Sequence, residues 1–290
     1  MGASNGSTKA GIGRGPVRIV YAMVALVVWL LTGGGRLRRR RNVVLCYHGV
    51  LADQSAHFER QMRAIKGRTR PVSDLANPSS DRGRPNIIVT FDDAFMNLIT
   101  NAIPALHTHN IPAMIFAVSD NLGERPRWSM PDDHPERFER TMTAEELQAV
   151  NQDELITIGS HSATHPRLDS LERESLDREL RESKSSLETM LGATMTDLAL
   201  PHGAYNSGVL RAAKGVGYQR IHTLEHDLAP GAEPHVVGRF SASPDLSSLE
   251  FRLLIDGAYA WLGSLRRAVR KARGHRGHTP QHENPTKVAA

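Results

Sequence analysis

Short apolar runs rich in β-branched residues recur along the chain, each followed by a stretch of helical periodicity. The runs predict strands over 43–47, 87–91, 113–118, 155–158, 197–200, 219–222 and 236–240. Between them, 57–66 sets Phe58, Met62 and Ile65 on one face, and 98–107 is interrupted by Pro104. The segment 143–150 opens Thr143-Ala144-Glu145-Glu146, a capping box in which Thr143 caps the helix and Glu146 reaches back. Over 170–191, Leu171, Leu176, Leu180, Leu187 and Leu191 line roughly one face among charges. A helix over 205–215 ends at glycine, and one over 249–273 carries Phe251, Leu254, Ile255, Ala258, Leu262 and Leu265. Strands alternating with helices argue for a parallel α/β fold.

Polar residues at the ends of these runs select the architecture. His48 follows the first strand, Asp92 and Asp93 the second, His161 the fourth, His202 the fifth, and His222 with Thr223 the sixth. In a (β/α) barrel all those carboxyl ends open on one face, where active sites are built. An open sheet would gather its site near one switch point instead. The expectation is therefore an α/β chain forming a distorted, incomplete (β/α)7 barrel.

The chain is 290 residues long, enough for one such domain with appendages. Its net charge of +5 is unevenly placed. Residues 1–41 hold eight bases and no acid, 265–290 seven bases and one acid, and 42–264 21 bases and 30 acids. A net-acidic body argues against a nucleic-acid partner, whereas the basic ends suit anionic lipid headgroups. Thirteen apolar residues run from Ile19 to Leu31 and lead through Thr32-Gly33-Gly34-Gly35 into Arg36, Arg38, Arg39, Arg40 and Arg41. That run is short of the roughly 20 residues a span needs, and the arginines behind it oppose export. An interfacial, membrane-associated helix over 19–35 is the favoured reading; a single span and a helix packed on the domain's own surface are the alternatives. The expected divisions are a basic region 1–41 holding that helix, a catalytic domain 42–245, an amphipathic helix 246–274 and a disordered basic tail 275–290. Residues 1–15 are read as disordered, and the tail histidines His275, His278 and His282 as weak ligands at most. A single cysteine, Cys46, permits no internal disulfide and reads as a small buried hydrophobe.

The chemistry gathers at Thr90-Phe91-Asp92-Asp93 and His161-Ser162-Ala163-Thr164-His165. Adjacent carboxylates at a strand end, with two histidines four positions apart, supply three metal ligands and a spare base, the inventory of metal-assisted hydrolysis. Alone, a His-x-x-x-His reads better as loop histidines bonded to backbone. Beside the Asp-Asp pair at strand ends, the metal reading prevails. One carboxylate must stay off the cation, because a liganded carboxylate is too poor a base to take a proton from water.

These segments resemble the polysaccharide deacetylases of carbohydrate esterase family 4. Tyr47-His48-Gly49-Val50 is similar to that family's opening strand, and Thr90-Phe91-Asp92-Asp93-Ala94 to its first motif, with Ala94 where glycine is usual. His161-Ser162-Ala163-Thr164-His165 fits its second motif, and Leu200-Pro201-His202-Gly203-Ala204-Tyr205-Asn206 resembles the third in the branch that lacks the motif's arginine, with Ala199 at that position. Leu224-Glu225-His226-Asp227 is a loose counterpart of the late Leu-x-x-His motif. The likeness covers about residues 42–245 and implies the distorted (β/α)7 barrel.

The resemblance implies Asp92 as general base and Asp93, His161 and His165 as ligands of a divalent metal, zinc first, with manganese, cobalt or iron compatible. It implies a backbone N–H of the Pro201-His202-Gly203 turn as oxyanion donor. Candidates for the leaving-group acid are His226, His222 and His202, with His226 the expected catalytic residue. Arg239, in Gly238-Arg239-Phe240, is expected to stand in for the missing arginine by pairing bidentately with Asp92. His48 is expected at the site floor, and Trp128, in the polar loop 125–135, at the sugar. The expected function is metal-dependent removal of acetyl groups, N-acetyl first, from a carbohydrate or glycan precursor, at the cytoplasmic face of a membrane. The alternatives are a metal-retaining glycan-binding scaffold and an amide hydrolase acting on a non-acetyl substrate on the same fold.

Overall fold

Two strands rich in β-branched residues, β1 (Asn42–Tyr47) and β2 (Asn86–Phe91), run parallel in register, with Asn42 beside Asn86 and Tyr47 beside Phe91. In the computed structural model, which describes residues 16–265 except 39, 77–82, 133, 232, 234 and 264, they belong to one all-parallel sheet. The others are β3 (Ala113–Ala117), β4 (Ile156–Ser160), β5 (Asp197–Ala199), β6 (Arg220–Thr223), β7 (Val236–Gly238) and β8 (Phe240–Ser241), in the spatial order β7-β6-β5-β4-β3-β2-β1-β8.

The expected seventh strand is present as two segments, because only Arg239 separates β7 from β8. β7 pairs with β6 and β8 with β1, so one run of chain passes from one edge of the sheet to the other and nearly closes it. The lower part of the seam is occupied by Ala229, which exchanges backbone hydrogen bonds with Asn42 at 2.7 and 3.0 Å. The eight segments are thus the predicted seven-stranded barrel with its last strand divided.

Side chains alternate across the sheet. Val43, Leu45, Tyr47, Val89, Phe91, Ile115, Ile158, Leu198, Ile221 and Phe240 point outward into the helix layer. Inside, Val44, Ile88, Met114, Phe116 and Val237 fill the barrel. Phe116 leaves no space for a side chain at position 159, where an added Cβ would sit 2.6 Å from its ring. Apolar packing therefore fills the barrel interior, and polar residues take the carboxyl ends.

Eight helices accompany the strands among the described residues: α1 (Pro16–Leu31), α2 (Ser55–Ile65), α3 (Asn97–Asn101), α4 (Ile103–His109), α5 (Ala144–Asn151), α6 (Arg173–Leu191), α7 (Ser207–Val216) and α8 (Ser248–Ile255). Pro104 divides the expected helix over 98–107 and sits in the first turn of α4, where its missing N–H costs nothing. The capping box forms: Glu146 N donates to Thr143 Oγ1 at 3.2 Å, and Thr143 N to Glu146 Oε2 at 2.9 Å. α7 starts later than expected because the side chain of Asn206 caps it, and it ends at Gly217, not Gly215. The expected helix over 249–273 is interrupted at Asp256, since Gly257 adopts φ +73°, and helix resumes at 261–263; the part of it beyond residue 265, the 1–15 segment and the tail histidines lie outside the described residues.

α1 lies on the domain's own surface. Arg18 donates to Glu250 at 2.5 and 2.7 Å, Trp29 Nε1 donates to Asp256 at 2.9 Å, Tyr21 meets Trp261 edge-on, and Ala25 is buried. Asp256 is fully buried and also receives Arg68, Arg84 and Arg252, so one carboxylate ties α1, α8 and the start of the barrel together. No helix among the described residues is long and apolar enough to cross a membrane.

Candidate active site

Strand ends β2 and β4 carry the first residues of the site. Adjacent strand residues would face opposite ways, but the chain turns at Asp93, with φ +69°, and both buried carboxylates approach His161 Nε2, Asp92 at 3.9 Å and Asp93 at 3.5 Å. Ala94, where glycine is usual in the resembled family, follows in the same left-handed region at φ +49°. Ser162, His165 and His202 are also left-handed. Among the described residues, five of the six non-glycine residues with positive φ belong to the Asp93, His161, His165 and His202 group or directly adjoin it in the chain, a clustering of backbone strain typical of functional sites.

One oxygen and two ring nitrogens converge there. Asp93 Oδ1 lies 3.5 Å from His161 Nε2 and 3.4 Å from His165 Nε2. All three side chains are buried, and their ligand atoms lie within 4.8 Å of one another. Asp93 Oδ1 has no hydrogen-bond partner. His161 Nδ1 contacts the carbonyl oxygen of Ala199 at 2.8 Å. Donation there fixes the tautomer and leaves the Nε2 lone pair facing Asp93. Burial holds His161 neutral, at about 4, and pushes His165 well below the usual histidine range. Burial also pushes Asp93 up to about 7, with Asp92 and Glu136 adding to it against His48. An unpartnered carboxylate oxygen opposite two neutral imidazoles is a donor set suited to a cation, so these residues fit a divalent metal.

Asp92 borders that set, but its carboxylate is engaged by an arginine. Arg239 donates from Nη1 to Asp92 Oδ1 at 2.6 Å and from Nη2 to Oδ2 at 2.9 Å. Thr90 Oγ1 and the Thr223 carbonyl accept the other guanidinium hydrogens, at 3.2 and 3.3 Å, and the Cys46 thiol lies 3.3 Å from Asp92 Oδ2. Burial alone would raise the Asp92 carboxyl, but Arg239 and His161 outweigh it and hold it far below the usual carboxylate range. The bidentate pair expected between Arg239 and Asp92 is present. Arg239 reaches Asp92 because it occupies the point where the last strand divides between β7 and β8.

The remaining expected residues separate. His48 is half-buried at the end of β1 and near Asp93, Glu136 and Asp92, which raise its basicity against the opposing effect of burial. Trp128 stacks on the His165 ring at 4.3 Å, which brings the loop 125–135 over the metal set. His202 meets His165 edge-on at 4.7 Å and is exposed. His222 lies inside the barrel, bonded to Asp197 at 2.8 Å and packed on Phe116. His226 packs edge-on against Phe240 at 5.4 Å. Phe240 follows Arg239 on one run of strand and faces the opposite side, so the ring that His226 packs on is turned away from Asp92. Of the three candidate acids, His202 is the one with a ring contact to the metal set.

The oxyanion expectation narrows in the same way. Pro201 has no N–H, and Gly203 N donates to the Leu200 carbonyl at 2.9 Å within the turn. The His202 N–H is the one the turn does not itself use. Gly203 is required here, since its φ is +63° and an added Cβ would lie 2.7 Å from Leu224.

Sequence reasoning missed Glu136. This buried carboxylate crosses from the loop after β3 and accepts a hydrogen bond from Gly49 N at 2.6 Å, beside His48. Nothing in its local sequence signals this; only the folding-over of the loop does. Cys46 is buried as expected, but beside Asp92, a neighbour its sequence context does not reveal.

Known proteins share the fold and part of the sequence. A family model described as polysaccharide deacetylase matches residues 79–221. A Bacillus subtilis (strain 168) protein named as a polysaccharide deacetylase, YxkH, is 27% identical over 229 residues, 73% of this chain and 75% of its own length. A chitooligosaccharide deacetylase of Rhizobium leguminosarum bv. trifolii is 26% identical over 145 residues, 50% of this chain and 57% of its own. Among solved structures, IcaB from Ammonifex degensii superposes with a TM-score of 0.62 at 22% identity, covering 76% of this chain and 98% of that one. Streptococcus pyogenes deacetylase PplD, in complex with acetate, gives 0.61 at 19% identity, covering 74% and 97%. At such identities the structural likeness is one of fold.

Proposed function

The chain belongs to the polysaccharide deacetylase family, and on that premise we propose that it hydrolyses an acetyl group, N-linked in the first instance, from a sugar or glycan precursor with the help of a divalent cation. The observation that carries this reading is the separation of two adjacent carboxylates: Asp93 faces His161 and His165, while Asp92 is held by Arg239.

Asp93, His161 and His165 would hold the cation, zinc first, with manganese, cobalt or iron also compatible. When bound, it supplies Lewis-acid polarisation of the acyl carbonyl. Asp92 takes the proton from the attacking water. Arg239 keeps Asp92 ionised and oriented, lowering its proton affinity while fixing its direction. This arginine takes the part that Ala199 cannot, as the branch lacking the third-motif arginine requires. The His202 N–H points to the developing oxyanion, where a preorganised donor is worth about 3–4 kcal/mol in related chemistry. As the carbon–nitrogen bond breaks, His202, whose basicity burial lowers, enters as imidazolium and gives its proton to the departing amine; the proton that Asp92 took from water is then released and His202 is reprotonated from solvent. Trp128 offers an aromatic face to the sugar and steadies the His165 ring beneath it.

The test is acetate release from matched N-acetylated and O-acetylated sugar panels by the wild type and Asp92→Asn. Release from the N-acetyl panel, reduced about 10²–10⁴-fold in the variant, supports the reading. Equal release by the two proteins would remove Asp92 from the chemistry.

A further inference from the structure

The outer face of α1 is apolar throughout. Ile19, Met23, Val24, Val27, Leu30 and Leu31 fall within one arc of the helix and are 37–76% exposed. Among the described residues, that arc has no charged or polar side chain. The opposite arc carries Arg18, Tyr21, Ala25 and Trp29, whose contacts bind α1 to the domain. A surface helix with one face spent on its domain and the other free of polar groups requires a second apolar environment.

We propose that this face docks on an anionic lipid bilayer, with α1 lying in the plane of the headgroups. Charge selects lipid over a second copy of the chain. Just beyond α1, Arg36, Arg40 and Arg41 are exposed around Leu37, itself 77% exposed. Trp261 touches Tyr21 of α1, and the sequence from Leu265 onward carries seven bases against one acid. The exposed arginines among the described residues therefore follow directly on the apolar helix. A symmetric dimer through α1 would set these like charges against each other, whereas anionic headgroups neutralise them. The body between the ends, with 21 bases and 30 acids, is repelled by the same surface, which orients the molecule α1 side down.

Among the described residues, α1 is shorter than a bilayer span. Its 16 residues measure about 24 Å against a hydrocarbon core of about 30 Å. Its direction sets the orientation of the site. α8 follows β8 and leads away from the strand carboxyl ends, and Gly257 beyond it lies against Val43 at the start of β1. Arg18 meets the first turn of α8, and Trp29 meets Asp256 at its end, so α1 runs the same way along the barrel's flank. The mouth of the barrel then opens along the bilayer surface.

Flotation of the full chain with vesicles tests this. With 7:3 phosphatidylcholine:phosphatidylglycerol, about tenfold more protein or better should float than with phosphatidylcholine alone, and about 0.5 M salt should reduce it. The double variant Met23→Glu with Val27→Glu, at unchanged circular dichroism, should lose flotation about tenfold. Arg36→Glu with Arg40→Glu should lose the preference for anionic vesicles. Wild-type protein remaining unbound on anionic vesicles overturns the proposal. So does unaltered flotation of the Met23→Glu, Val27→Glu double variant, which would leave charge alone. Light scattering that reports a wild-type dimer split by that double variant, without vesicle binding, assigns the face to a second copy and also overturns it.

Discussion

Arg239 donates two hydrogen bonds to Asp92, at 2.6 and 2.9 Å, across 147 residues of chain. Both side chains are buried, at 0% and 3% exposure, so neither charge has water to replace the other. Removing the cation leaves a carboxylate stranded in the barrel, a change that costs about 3–5 kcal/mol in comparable buried pairs. Arg239→Ala should lower stability by that order in chemical denaturation. Arg239→Lys should retain more stability, but it loses the two-pronged geometry and with it turnover.

The same pair sets a pH dependence. The folded-state Asp92 carboxyl is held below its unfolded value, so the stability it contributes is fully present above about pH 4 and is lost as pH falls further. In Arg239→Lys the carboxyl rises toward its ordinary range. The acidic limb of kcat/KM should therefore move to higher pH than in the wild type, measured on any substrate that releases acetate. An unmoved limb would mean that Arg239 is structural only.

Cation binding should release protons. Without a cation Asp93 sits at about 7 while His161, at about 4, and His165 are already neutral. Below about pH 7 the ion must therefore displace about one proton, from Asp93, and above it progressively fewer. Titration calorimetry of chelated protein with zinc in buffers of different ionisation enthalpy reads this number directly. A free ion at about 100 times Kd should add about 2.7 kcal/mol of stability, and Asp93→Ala should abolish the gain.

His202 and His226 make opposite predictions. His202 touches the metal set and lies exposed at the rim, so His202→Ala should lower kcat by about 10²-fold or more. The loss should shrink on substrates with better leaving groups. His226 packs on the outward-facing Phe240, and His226→Ala should change thermal stability while leaving kcat within about twofold, well under the general-acid effect.

Much of this arrangement is legible in the chain itself. Strand ends reveal themselves when an apolar run stops at a reactive residue, which is how 87–91 with Asp92-Asp93 and the run ending before His161 stand out. Their convergence follows from parallel topology. The division of the last strand at Arg239 is not legible, because Val236 to Phe240 reads as one uninterrupted run. Pairing with two different neighbours is a property of closure, which no local pattern records. The identity of the proton donor is not legible for a related reason. His226 matches a motif loosely, but which side of the sheet a loop residue occupies depends on the path of the chain past the seam. Glu136 has no local signal at all, since it reaches Gly49 through a fold-over of the loop. The apolar character of α1 is plain in its composition, but its docking through Arg18 to Glu250 depends on a partner 232 residues away.

The central claim is that the Asp93, His161 and His165 set holds a divalent cation for deacetylation. The most direct measurement is acetate release by the full chain on an N-acetylated oligosaccharide panel after chelation, then with zinc restored. Release that vanishes on chelation, returns with stoichiometric zinc and fails to return in His161→Ala is the expected result. Release that persists unchanged in the chelated protein, or its absence on every substrate with zinc bound, would contradict it.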